Sequence, residues 1–429
     1  MVFKQSLVLL IKLVAIILVV GVILSVDTGH AHAQTLGLAS HSHLISPSAA
    51  AKVIVLPRAT AKAKLLERIS VGLFAASQGY LLLLLWLLLK LRISNRFRDF
   101  ALRCSKNRLA HCAIYLGAVT VALAVAMCPF SFVSGWLLPH EFGLSTEAVF
   151  SWVLDWGKNE ALSYALTVPV VCVVFGLVNR YRRWWFSVWL LLMPLILISI
   201  VAEPLVIDPL FNHYSKLPAG SLHDRIEALA SKAGVPNAPI YVVDKSKQTN
   251  TTNAYVTGLL GSARIVIWDT TLGRMPDNEV VAIVGHEMGH YVEKHIWIGY
   301  AITVLVLLGV LPLCQCVYEV LLKRQARNWG ISSTGDIAAY PLMLMIVTSV
   351  SLLLMPFSNW VSRKIEHRAD AFSLRITHDP TAMAHALIDL STQNLSDPDP
   401  PMWIVFFFYT HPPMRERVEF VLSRPVPDR

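Results

Sequence analysis

The chain has 429 residues, of which 55% are hydrophobic and only 15% charged, and its mean hydropathy is +0.54. Soluble globular chains carry about 25% charged residues, so this composition excludes one, along with a disordered chain and a small disulfide scaffold, and points to a bilayer as solvent. A net charge of +9 suits either a polyanion or a membrane topology signal, and the positions of the charges decide between them.

A membrane-spanning helix needs about 20 mostly apolar residues. Seven segments approach that length, at 7–26, 71–89, 112–137, 162–178, 184–201, 296–322 and 341–361. The first contains Lys12 and is followed by Ala31-His32-Ala33, which matches a signal-peptidase site. Its apolar run is long for a signal segment, so it is taken as an uncleaved helix. An Ala-, Ser- and His-rich stretch follows to about residue 68 and reads as a linker, with His30, His32, His41 and His43 in a solvated loop. Five of the six cysteines lie in or beside apolar segments and read as packed thiols, including the Cys314-Gln315-Cys316 pair inside the sixth span.

Basic residues fill three links. Lys90, Arg92, Arg96, Arg98, Arg103, Lys106 and Arg108 follow the second span, Arg180, Arg182 and Arg183 join the fourth to the fifth, and Lys323, Arg324 and Arg327 follow the sixth. With seven spans these links share one membrane face, and the positive-inside rule makes that face cytoplasmic. No aromatic platform interleaves them, so they are juxtamembrane anchors and nucleic acid is excluded as a partner.

Two parts are not membrane-like, residues 202–295 and 362–429. The first reads as α/β. A helix runs from Ser221, as cap, to about residue 233, with Ile226 and Leu229 as its apolar stripe. Strands are predicted at 240–243, 254–260 and 264–268, with Gly261-Ser262 turning between the last two. Asp277, after Pro276, opens a helix whose pattern runs without a breaker into the sixth span. The organisation is therefore a first helix and linker (1–68), four spans (69–201), an α/β loop domain (202–295), two spans (296–361) and a C-terminal part (362–429).

Within that last helix lies His286-Glu287-Met288-Gly289-His290. Residues four apart share a helix face, so both histidines can aim a ring nitrogen at one ion, while Glu287 is turned aside to serve as general base to a bound water. A catalytic zinc usually takes three protein ligands. The position of a third histidine in a metzincin holds Ile296 instead, and a glutamate about 20 residues on would fall inside a span. Glu293 lies on the same helix and reads as a solvated or outer carboxylate. Glu366 is the better third ligand, and Asp370, one turn on, can orient a ligating histidine or move a proton.

Further matches lie in Asn253-Ala254-Tyr255, Arg264-Ile265-Val266, Asp269-Thr270, His411-Pro412-Pro413 with Glu416-Arg417, Phe142-Gly143-Leu144-Ser145 and Pro209-Leu210-Phe211-Asn212. In this order, across roughly residues 112–421, the chain resembles the zinc-dependent integral-membrane CAAX prenyl proteases, peptidase family M48, a gluzincin group. The resemblance implies a polytopic α-helical membrane protein, about seven helices around a barrel-like chamber, with a small α/β metallopeptidase domain. It implies one zinc ion on His286, His290 and Glu366, activation of water by Glu287, and Asp370 in a second-carboxylate position. It further implies that the strand of Asn253, Ala254 and Tyr255 pairs with an extended peptide substrate, that His411 stabilises the oxyanion, and that Arg417 supports it or a carboxylate near the zinc. Read from the residues alone, His411 is a fixed turn histidine, and Arg417 pairs most simply with Glu416 or solvent.

The substrate implied is a peptide or protein, prenylated or membrane-associated, and the other partner is the lipid bilayer. Family analogy puts the active face in the cytosol. Thirteen positive residues in the three links put it on the other side, in the periplasm of a bacterial inner-membrane protein, where a quality-control protease without prenyl specificity fits better. A non-catalytic receptor or chaperone is disfavoured by the intact Glu287, and a transporter by the absence of internal repeats and of ionisable clusters within the spans.

Overall fold

The structure is a computed structural model that describes residues 54–258 and 263–424. The span at 7–26, Ala31-His32-Ala33, the linker histidines and the Gly261-Ser262 turn lie outside the described residues. Each of the six other predicted spans falls on a helix long and apolar enough to cross a membrane. These are α1 (Ala61–Lys90), α3 (Arg108–Phe132), α4 (Val149–Arg180), α5 (Trp184–Ala202), α8 (His295–Trp329) and α9 (Tyr340–Thr377).

Some begin earlier than hydropathy alone suggests. Residues 61–68, expected as linker, form the first turns of α1 because Ala, Lys, Leu and Glu favour helix and the Thr60 hydroxyl accepts from the Ala63 amide at 3.0 Å. α4 starts at Val149, where Asp155, Lys158 and Glu160 dilute the apolar signal without breaking the helix. A short amphipathic helix, α2 (Ile93–Cys104), carries part of the first basic link. Fully buried Leu85, Tyr115, Met127, Ile196, Leu311 and Tyr318 hold the spans together. The expectation of free packed thiols is corrected for one pair: Cys112 on α3 and Cys172 on α4 are bonded to each other, whereas Cys314 and Cys316 are free.

The three basic links converge at one end of the bundle. Arg92 donates to the Asn328 carbonyl at 2.9 Å, Asn179 to the Gly335 carbonyl at 3.0 Å, and Gln315 to the Arg182 carbonyl at 2.8 Å. α9 leaves that end at Tyr340 and runs on to Thr377, a 38-residue helix. Its first part is a span and its last part belongs to the other end of the molecule.

There a four-stranded sheet has the order β1 (Tyr214–Lys216), β2 (Ile240–Val243), β4 (Arg264–Trp268), β3 (Ala254–Thr257). β2 and β4 are parallel and the two outer pairs antiparallel. β1 was not expected, being only three residues long. Helix α6 (Ser221–Lys232) begins at Ser221, with Gly220 rather than Ser221 in the cap position. Ala254, Val256, Ile265 and Ile267 on one sheet face share a core with Val280, Val284 and Met288 of α7 (Asp277–Val292). The alternation of strand side chains sends Tyr255, Val266 and Trp268 to the opposite face. The C-terminal part adds α10 (Pro380–Gln393), α11 (Met402–Phe408) and α12 (Met414–Ser423).

One expectation is overturned in the backbone. α7 does not run into the sixth span. Lys294 adopts a left-handed conformation, with φ of 56°, and α8 starts afresh at His295. The turn frees α8 to enter the bundle while α7 stays on the sheet.

α7 packs most intimately on α9, and two glycines set the separation. A Cβ built on Gly289 would lie 3.0 Å from Phe372 Cβ and 3.2 Å from Ala369 Cα, and one on Gly285 would lie 3.0 Å from Ser373 Oγ. The Ser373 hydroxyl, in turn, donates to the Ala282 carbonyl at 2.8 Å. Gly289→Ala should therefore destabilise the protein by about 1–3 kcal/mol through overpacking. Gly79→Ala, where an added Cβ meets nothing within 4 Å, should not. Thermal unfolding in detergent compares the two, and equal midpoints would show that the crossing tolerates a methyl group.

Candidate metal centre

The crossing of α7 and α9 brings four side chains into one buried cluster. The spacing of four along α7 puts His286 and His290 on the face toward α9, with Nε2 atoms 3.1 Å apart. Glu366 of α9 faces both, one carboxylate oxygen 3.3 Å from His286 Nε2 and the other 3.6 Å from His290 Nε2. Asp370, one turn further on, receives His286 Nδ1 at 2.8 Å. All four side chains are at most about one-twentieth exposed.

Two residues of the C-terminal part close the cluster. Arg417 of α12 forks onto Asp370, with Nη2 at 2.6 Å and Nε at 2.9 Å from the two oxygens, and its Nη2 lies 3.7 Å from Glu366. The family-derived placement of Arg417 near a site carboxylate thus describes its position better than the simpler pairing with Glu416, which meets His367 at 2.9 Å instead. His411 precedes Pro412 and Pro413, which fix the chain entering α12. Its Nδ1 meets the Thr410 hydroxyl at 3.0 Å, and its Nε2 lies 3.3 Å from Glu366.

Burial by itself would discharge both helix histidines. For His290 burial prevails over the attraction of Glu366, and its pKa falls well below the imidazole range. For His286 burial is outweighed by Asp370 and Glu366, and the pKa is pushed up to about 9. The Arg417 guanidinium loses from burial but gains more from Asp370, so it stays charged.

Three ligating atoms, one each from His286, His290 and Glu366, lie within 4.8 Å of one another. Both Glu366 oxygens are buried, and their near neighbours are the imidazoles of His286, His290 and His411, at 3.3–3.6 Å, with the Arg417 guanidinium at 3.7 Å. A buried carboxylate is costly unless a cation compensates it, and two imidazoles with one carboxylate are a donor set that zinc accepts. The residues present therefore fit a metal ion. Glu287, 4% exposed, follows His286 on α7 and is turned from it by about 100°. Glu293 lies outside the cluster, bound to Arg368 at 2.9 Å and Arg375 at 3.2 Å.

Asn253, Ala254 and Tyr255 take no part in these contacts. Asn253 is fixed through its backbone, its amide donating to Thr271 Oγ1 and its carbonyl accepting from the same hydroxyl, both at 2.7 Å. Ala254 is buried toward α7, and the Tyr255 hydroxyl meets that of Tyr214 at 3.0 Å on the other sheet face. β3 itself is an outer strand, paired with β4 alone among the described residues.

The sequence of residues 216–424 matches a family model described as peptidase family M48, and residues 38–213 match one described as CAAX prenyl protease N-terminal, five membrane helices. The metalloprotease YhfN of Bacillus subtilis is 32% identical over 341 residues, covering 78% of this chain and 79% of the relative. The chain belongs to peptidase family M48. The CAAX prenyl protease 1 of Saccharomyces cerevisiae is 27% identical, with 73% of this chain and 72% of the relative covered. The crystal structure of S. mikatae Ste24p superposes with a TM-score of 0.66 at 24% identity, over 78% of this chain and 82% of that one, and supports the fold. This M48 protein is thus a multi-pass integral-membrane metalloendopeptidase, related to the CAAX prenyl proteases and acting on peptides or proteins.

Arg417 and Asp370 form a buried ion pair, and breaking one costs more than replacing both partners. Arg417→Leu should lower stability by about 3–5 kcal/mol, and adding Asp370→Leu should recover much of that loss. Denaturation of the detergent-solubilised variants measures both, and a double variant no more stable than Arg417→Leu would deny the coupling.

Proposed function

We propose that the metal is one zinc ion held by His286, His290 and Glu366, and that Glu287 is the general base of peptide-bond hydrolysis. The observation that supports this reading most is Glu366, a buried carboxylate whose two oxygens face the Nε2 atoms of His286 and His290 at 3.3 and 3.6 Å. Zinc bound by such a set supplies a Lewis acid that polarises a carbonyl and draws the pKa of water toward 7.

The protein's own groups do the rest. Glu287 takes the proton of the attacking water and returns one to the leaving amine. Asp370 accepts from His286 Nδ1 and keeps its Nε2 turned to the ion, a positioning role that suits a carboxylate already committed to Arg417. His411, steadied by Thr410, presents Nε2 as donor to the developing oxyanion. The free edge of β3, with the backbone of Asn253, Ala254 and Tyr255, pairs with an extended substrate strand. General-base catalysis contributes about 10²–10⁴-fold. Glu287→Gln should therefore cut cleavage of an unfolded peptide by that factor while zinc content by atomic absorption stays at one per chain. Glu366→Ala should lose the zinc. Full activity of Glu287→Gln, or undiminished zinc in Glu366→Ala, would overturn these assignments.

The reading extends to the side of the membrane. The basic links gather at the end of α9 opposite the cluster, and positive charge marks the cytoplasmic face. The active face is then periplasmic in a bacterial inner membrane, where an extended peptide, rather than a prenyl group, is the recognised feature. A C-terminal reporter that works only in the cytoplasm should be silent, and unmodified and farnesylated peptides should be cleaved at comparable rates. A working reporter would reverse the orientation, and cleavage confined to farnesylated peptides would restore prenyl specificity.

A further inference from the structure

One buried histidine has no role in the scheme above. His295, the first residue of α8, is fully buried, and its Nδ1 lies 3.1 Å from Nδ1 of His290, the rings meeting nearly edge to face at 73°. Its other nitrogen, Nε2, lies 3.4 Å from Glu293 Oε2. Glu293 is itself held by Arg368 and Arg375, at 2.9 and 3.2 Å. The left-handed turn at Lys294 makes this possible. On an unbroken helix His295 would stand five residues from His290, about 140° around the axis. The turn folds it back over the ligand instead.

Hydrogen positions follow from the pairing rule for ring nitrogens. Two facing imidazole nitrogens bond only when one carries a hydrogen and the other a lone pair. For His290 to aim a bare Nε2 at an ion, its hydrogen must sit on Nδ1. His295 Nδ1 is then the acceptor, so the hydrogen of His295 sits on Nε2. That is the atom facing Glu293. The inner contact is a hydrogen bond at 3.1 Å and the outer one a charge contact at 3.4 Å, and only one arrangement leaves the His290 Nε2 lone pair toward Glu366 and His286.

We infer that His295 is a positioning residue that fixes the tautomer and ring orientation of His290 and connects it to the Glu293 carboxylate. This rests on the zinc reading of the cluster. The two ligand histidines are then oriented by different devices: Asp370 holds His286 directly, and His295, with Glu293 facing its outer nitrogen, holds His290. Partners of this kind typically change metal affinity 10–100-fold when removed.

The test measures zinc affinity of the full chain in detergent by chelator competition, together with the visible absorption of the cobalt-loaded protein. His295→Phe keeps a ring of similar size and removes both nitrogens. It should bind zinc 10–100-fold more weakly and alter the cobalt spectrum. His295→Gln, whose amide can both accept from His290 and donate to Glu293, should recover most of the affinity and the parent spectrum. Should His295→Phe fail to fold, Glu293→Leu, at a site 16% exposed, cuts the same connection from its outer end and should weaken binding several-fold. The inference is overturned if these apolar variants bind zinc like the parent, or if His295→Gln is no better than His295→Phe. A parent that binds no zinc, or a His286→Ala variant that binds it undiminished, would instead sink the zinc reading itself.

Discussion

Two glycines one helical turn apart allow α7 and α9 to approach so closely that a methyl group added to either would press on the facing helix. Everything chemical in this protein depends on that approach. His286 and His290 come from one helix and Glu366 and Asp370 from the other, and carboxylate-to-imidazole separations near 3 Å leave no room for a wider crossing. The same crossing explains why a sheet is needed. Ala254, Val256, Ile265 and Ile267 cover the opposite side of α7, so that helix is clamped between an apolar sheet face and α9. Rigidity there comes from packing, while the ligand face remains polar.

A buried polar face of this kind is tolerable only if its charges are opposed. Asp370 is met by Arg417 and His286, both within hydrogen-bond distance. Glu366 is different. It has three imidazoles around it, at 3.3–3.6 Å, and Arg417 only at 3.7 Å. One carboxylate is therefore met at close range by a guanidinium fork, and the other, facing both helix histidines, is met by imidazoles alone at that range. The proposed division into a ligating Glu366 and an orienting Asp370 rests on this difference in partners, between near neighbours on one helix.

Much of this was legible beforehand for definable reasons. Spans are written in hydropathy because lipid admits few alternatives to an apolar helix, and the His-Glu-x-x-His spacing is written in the helical repeat. Where charge dilutes the signal, as with Asp155, Lys158 and Glu160, the helix extends beyond the apolar run that marks the span. The pairing of Cys112 with Cys172 joins residues sixty positions apart on different helices, which spacing does not reveal. The most informative miss is the break at Lys294. A lysine is a good helix former and carries no breaking signal, so the pattern reads as continuous, with His295 the last residue of the loop domain, whereas it is the first residue of α8. Only the tertiary requirement that α8 depart toward the bundle explains a left-handed lysine there. Glu293, read as an outer carboxylate, does lie outside the cluster, but the ring that joins it to His290 was invisible.

α9 ties the chemistry to the membrane. From Tyr340 to Glu366 is about 39 Å of helix at 1.5 Å per residue, while a hydrocarbon core is about 30 Å thick. If Tyr340 marks the basic boundary, the opposite boundary falls near Trp360, half exposed like Trp403 on α11, and tryptophan favours such interfaces. Glu366 then stands fewer than two turns beyond the lipid. Span and site belong to one helix, in which Pro356 is the one interior proline, so bilayer depth and the position of the site are tied by a single element. On the proposed reading, the peptide bonds within its reach are those held close to the membrane surface, whatever group holds them there.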